Sequence, residues 1–256
     1  MVCDYSRGNR AADSTRGATI HLKKTYPSRF RLSMYHTPSL RGWRKKVLPN
    51  KLNEVIGVQH SKIYLFDDTV VMTGANLSKI YFTNRQDRYV VFKNQPGLCD
   101  FLALILGCLQ KLSIEITEND TESFNSLDPV NSNHDEFISF SQKLFEPLIM
   151  PKHWGGKHCH EGPGEHSTWV FPTFQGYQIG IQHDSETTLK LINESFQYDS
   201  ELFMSTGYFN LARDVSDSIL NTRSNKINIL MASEQANGFY KGRGLFGRVP
   251  DMYKYS

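Results

Sequence analysis

The sequence predicts an α/β protein built from two similar lobes, and three observations carry that reading. Strand-length runs rich in Val, Ile, Phe and Tyr alternate with longer helical stretches, the rhythm of a layered fold around a largely buried sheet. The 256 residues amount to about one and a half to two domains at roughly 150 residues each. A strand running into a Gly/Arg loop occurs at Val2–Gly8 and again at Ile227–Gly244. Self-similarity at that distance indicates duplicated lobes and not a short-period solenoid.

The first lobe is expected over residues 1–116. Val2-Cys3 reads as the end of a buried strand running into a loop, Asp4–Gly8, so the lobe is expected to open in mid-strand and the chain to be cut short at its start. Phe30 to His36 is a short strand, with Phe30, Leu32 and Met34 alternating against Arg31 and Ser33. Ile56–Phe66 and Val70–Thr73 form a hairpin turning at Asp67-Asp68-Thr69. Arg88–Phe92 is a further buried strand, and a helix follows over Leu98–Leu112. Its apolar run, Phe101–Leu109, is far short of the ~20 residues a membrane span needs.

Residues 117–168 change character, first acidic and polar, then rich in Gly and His. They read as a linker or insert with room for one helix, Asp135–Glu146, stopped by Pro147. The second lobe is expected over 169–256, with helices at Glu186–Phe196 and Leu211–Asn221 and strands at Glu201–Phe209 and Lys226–Ala232.

Composition excludes several classes. Hydrophobic residues at 39% and charged residues at 21% rule out wholesale disorder. A net charge of +3, from 29 basic against 26 acidic residues, is too small for a chain devoted to nucleic acid. The cysteines Cys3, Cys99, Cys108 and Cys159 show no C-x-x-C pair, which suits a reducing compartment. The N-terminus has neither a signal core nor an import pattern. Between Asp13 and Glu54 every charged residue is basic, from Arg16 to Lys51, with Trp43 among Arg41, Arg44, Lys45 and Lys46. That stretch reads either as a surface for anionic membrane or as a solvated face beside a phosphate pocket.

The chemistry concentrates in Gly57–Ser78, GVQHSKIYLFDDTVVMTGANLS, which holds H-x-K-x4-D at His60, Lys62 and Asp67 and a Gly74-Ala75-Asn76 turn. On a strand, side chains two apart share a face, so His60 and Lys62 are expected about 7 Å apart on one side. Asp67 has the opposite parity and is expected to hold the turn behind the site. A neutral imidazole beside an ammonium and an amide suits attack on phosphorus, with Lys62 and Asn76 stabilising the equatorial oxygens and no metal or cofactor required. An ordinary strand histidine with chance spacing is the alternative for His60. Asp87 either orients the His60 imidazole or pairs at the surface with Arg85 or Arg88. The cluster His153, His158, Cys159, His160 and His166 matches no standard zinc spacing. Gly238, Gly242, Gly244 and Gly247 make only a weak phosphate-loop signal.

H-x-K-x4-D followed by a Gly/Asn turn resembles the phospholipase D superfamily. GANL departs from its G-[ST]-x-N element, with Asn76 one residue early. The runs DYSRGNR, YHTPSLRG, YFTNRQDRYVVF, TWVFP, STGYFNL and LMASEQANGFYKGRG narrow the resemblance to the phosphatidylglycerophosphate synthases. The resemblance implies a layered sandwich of two lobes. It also implies phosphatidyl transfer from CDP-diacylglycerol to glycerol 3-phosphate through a phosphohistidine, and a mitochondrial location. A hydrolase of the same superfamily and a non-catalytic lipid-binding chain are the alternatives. Superfamily sites use two H-x-K motifs, yet none of the six histidines after His60 begins one. The second lobe is therefore expected to be incomplete and the chain inactive alone.

Overall fold

In the first sheet every residue of the strand Leu32–Tyr35 is buried, and the reason lies in what covers its two faces. The computed structural model describes residues 1–10, 14–42, 56–149, 168–195, 201–207, 209–221, 226–236, 240 and 247. These divide into two compact units, Met1–Ile181 and Gln182–Ser256.

In the first unit, β1 (Val2–Asp4), β2 (Leu32–Tyr35), β6 (Ile114–Ile116) and β7 (Glu122–Phe124) form one sheet in the order β1-β2-β6-β7. β1 runs parallel to β2, and the other pairings are antiparallel. Leu32 and Met34 pack with Ile114 and Ile116 against Ile20 and Phe30, while Tyr35 joins the larger core on the opposite side. The alternation expected of a half-exposed strand is thus replaced by burial on both faces, even at Ser33.

A second sheet is the antiparallel meander of β3 (Ile63–Phe66), β4 (Thr69–Thr73) and β5 (Tyr89–Phe92). Phe66 pairs with Thr69, so Asp67 and Asp68 make a two-residue turn in which Asp67 takes φ 50°. A primed hairpin turn requires positive φ there, and Asp tolerates it better than most residues. The strand expected to be buried, β5, is an edge strand with Tyr89, Val90 and Val91 exposed. Its apolar run, Tyr89–Phe92, reflects β-propensity without burial.

Helix α4 (Pro96–Lys111) joins the two sheets. Proline in its first turn is pre-organised for helix, and Cys99, Phe101, Leu102, Ile105 and Leu109 form its buried stripe. It packs on α5 (His134–Ile149), whose Phe137 and Phe145 are fully buried. Pro147 was expected to stop α5 at Glu146, but the helix continues to Ile149. One hydrogen bond is forfeited in the last turn, where Leu144, Leu148 and Ile149 still pack on the core. Phe174 stacks on Phe145 at 4.7 Å and fastens the preceding chain to this core.

Three short helices were not expected. The loop predicted at Asp4–Gly8 is a helical turn, α1 (Tyr5–Gly8), capped by Asp4. α2 (Thr15–Thr25) is capped by Ser14, and α3 (Lys79–Thr83) follows the Gly-Ala-Asn turn. α2 accounts for part of the basic stretch. Arg16 pairs with Asp120 and Glu122, Lys23 and Arg31 face Glu115, and Arg41 donates to the Val130 and Ser132 carbonyls. Trp43 to Lys51 lie outside the described residues.

The second unit holds α6 (His183–Ser195), β8 (Glu201–Thr206), α7 (Arg213–Leu220) and β9 (Lys226–Met231). β8 and β9 are parallel, in register from Glu201–Lys226 to Thr206–Met231, with α7 in the crossover. The predicted elements are present here: α6 begins at His183, three residues before the expected Glu186, while β8, α7 and β9 are shorter than expected.

Candidate active site

His60 and Lys62, expected on a strand, lie in the segment just ahead of β3. The Thr73 N–H donates to the Lys62 carbonyl at 3.4 Å, which carries the β3–β4 ladder one residue past the strand ends. The segment is anchored from behind at two points. Gln178 Nε2 donates to the Ile56 carbonyl at 3.2 Å, and a Cβ at Gly57 would come within 2.8 Å of that amide, so glycine allows the approach. Asp4 does the rest. Its Oδ1 accepts the Arg7 N–H at 2.8 Å as the cap of α1, and its Oδ2 accepts the Gln59 N–H at 3.0 Å. One buried carboxylate therefore ties the first helical turn to the residue beside His60.

His60 is exposed and Lys62 half-buried, and the Lys62 ammonium donates to the His60 carbonyl at 2.5 Å. Both line a cavity of about 480 Å³. Ile63, Met72, Thr73 and Gly74 form its hairpin wall, Leu98, Leu102 and Ile105 of α4 another, and residues 170–174 the remainder. Desolvation lowers the His60 pKa, and the charges of Lys62 and Arg7 lower it further against an opposing pull from Asp4. Lys62 is lowered first by desolvation and then by Arg7, with Asp87 opposing. The imidazole is therefore biased to its neutral, nucleophilic form near neutral pH.

The other residues singled out from sequence fall in distinct places. Asp67 is exposed at the hairpin tip, at the far end of β3 from Lys62; five residues of extended chain span about 16 Å. It shapes the turn and is remote from the cavity. Asn76 is half-buried and donates through Nδ2 to the Tyr81 hydroxyl at 3.1 Å. That hydroxyl also accepts from Arg85 Nη1, whose guanidinium lies over the Tyr81 ring. Asp87 sits against Gly74, where a Cβ would meet its Oδ1 at 2.8 Å, and its Oδ1 accepts the Arg88 N–H. The carboxylate acting on His60 is Asp4, whereas Asp87 acts on Lys62.

Sequence reasoning missed Asp4, Arg7 and the apolar wall. An Asp immediately before a short helical run is a capping signature that marks Asp4 in retrospect. Arg7 needed the fold, because more than fifty residues of chain separate it from His60. A second H-x-K spacing does occur at His21 and Lys23, but on α2, where residues two apart face different directions, and Lys23 is buried beside Glu115. The Gly/His-rich cluster and Gly238, Gly242 and Gly244 lie outside the described residues.

A neutral imidazole, an ammonium and a guanidinium acting on one another have the chemistry of a site for phosphate esters. No family model matches the chain. Along its whole length, however, it is similar to mitochondrial CDP-diacylglycerol–glycerol-3-phosphate 3-phosphatidyltransferases. The chicken (Gallus gallus) protein is 35% identical over 282 aligned positions, covering 100% of this chain and 50% of the relative. The Homo sapiens protein is 31% identical over 99% of this chain and 49% of its own length. The Saccharomyces pastorianus CDP-diacylglycerol–glycerol-3-phosphate 3-phosphatidyltransferase is 31% identical over 100% of this chain and 51% of its length. The chain thus spans about half the length of the curated relatives it matches.

Proposed function

We propose that this chain carries one half-site of a phosphatidyltransferase that converts CDP-diacylglycerol and sn-glycerol 3-phosphate to phosphatidylglycerophosphate and CMP. The observation that carries the reading is His60 beside Lys62 at a cavity, with its imidazole held toward the neutral form. In this scheme the imidazole attacks the phosphorus bearing the diacylglycerol, the bond to CMP breaks, and a phosphohistidine forms. The glycerol 3-phosphate hydroxyl then attacks that phosphorus, the P–N bond breaks and the imidazole is regenerated. Lys62, and Arg7 beyond it, stabilise charge on the phosphoryl oxygens. A second histidine protonates the departing CMP and takes the proton of the incoming hydroxyl.

That second histidine belongs to a second H-x-K in a two-lobe, phospholipase D-like sandwich. No H-x-K follows His60 within these 256 residues, so the half-site is expected to need a second H-x-K for turnover. Asn76 and Asp87 border the half-site, exposed Lys24 and Arg29 of the basic stretch face anionic lipid, and the location is mitochondrial. A protein of the relatives' full length that includes this sequence, given labelled glycerol 3-phosphate and CDP-diacylglycerol, should place label in lipid. His60→Ala should abolish it. Phosphatidic acid without labelled lipid would instead support hydrolysis, and no lipid product under any pairing would support a non-catalytic lipid-binding chain.

A further inference from the structure

We propose that the cavity beside His60 and Lys62 is an alkyl-chain subsite that takes one hydrocarbon chain of an anionic phosphate ester, with the phosphate held at the mouth by those two residues. The inference rests on the phosphate-ester reading of the same site and adds where the hydrophobic part of the ligand goes.

Three observations carry it. The lining joins exposed His60 and Ser61 and half-buried Lys62 to an apolar wall in which Leu102 and Ile105 are 3% and 4% exposed, and Val170 and Phe171 add exposed apolar surface. The space, about 480 Å³, is far larger than the water-sized voids of a packed core. The α4 wall, formed by Leu98, Leu102 and Ile105, offers water no side-chain hydrogen-bond partner, so covering it with an apolar chain is favourable. The wall also has length. From Leu98 to Ile105 the helix rises about 10 Å, a wall long enough to lie along several methylenes of a chain. At the mouth, cationic Lys62 selects an anionic head over a neutral one.

The test is calorimetric titration of the 256-residue chain with butyl, octyl and dodecyl phosphate, with the matching alkyl glucosides as neutral probes. Affinity for the phosphates should rise about four-fold per methylene until the wall is covered, then level off. Each glucoside should bind about ten-fold or more weaker than its phosphate. Leu102→Trp should flatten the dependence on chain length. Leu98→Trp, at a half-buried position that tolerates change, should do the same if the first variant fails to fold. Equal binding of glucosides and phosphates would overturn the proposal, as would a chain-length slope unchanged in a folded Trp variant. The two ideas fail separately. Label transfer without chain-length selectivity removes the subsite and keeps the transferase, whereas selective alkyl phosphate binding with no lipid product in the full-length protein does the reverse.

Discussion

Replacing Asp4 tests the architecture of the half-site most directly. Its carboxylate is 7% exposed and accepts two backbone N–H groups, from Arg7 and Gln59. Asp4→Ala removes a helix cap worth about 1 kcal/mol and a charge-assisted bond worth about 1.5–3 kcal/mol. Together the first unit should lose about 2–4 kcal/mol, and for a unit of this size each kcal/mol lowers Tm by roughly 2–4 °C. Asp4→Asn separates the two bonds. Its amide oxygen still serves Arg7, while its NH2 opposes the Gln59 N–H, so about half the loss should remain. The same charge raises the His60 pKa, so both variants should depress that pKa further. Urea unfolding followed by circular dichroism reads the first effect, and NMR titration of the His60 ring reads the second. If Asp4→Ala costs less than about 0.5 kcal/mol and His60 titrates unchanged, the carboxylate does not couple the α1 turn to the histidine.

Arg7→Ala removes a charge that lowers both His60 and Lys62, so NMR should find both pKa values raised. His60 is already below its ordinary 6.5, so the unfolded chain takes up its proton first; the His60 contribution should erode stability as pH falls through about 6.5 and be absent above it, a loss His60→Gln would remove. Tyr81→Phe deletes the acceptor shared by Asn76 and Arg85 and should cost about 1 kcal/mol in urea unfolding. Phe145→Ala empties a fully buried site and the stack on Phe174; about 3–5 kcal/mol should be lost, with faster amide exchange in residues 170–174.

What the sequence alone determined were the features set by neighbouring residues. Apolar runs either side of an Asp-rich turn placed the β3–β4 hairpin, although β3 was expected from Ile56 and begins only at Ile63, and the apolar run Phe101–Leu109 placed α4. The H-x-K spacing singled out His60 and Lys62, and both line one cavity. Tertiary structure decided the rest. Apolar periodicity reports propensity for a pleated surface but not which strand becomes an edge, so β5 is exposed and β2 covered on both faces. Coulombic reach and cavity walls depend on distance through space. Arg7 and Asp4 therefore act on a histidine far along the chain, and α4 lines a cavity whose other wall is the hairpin.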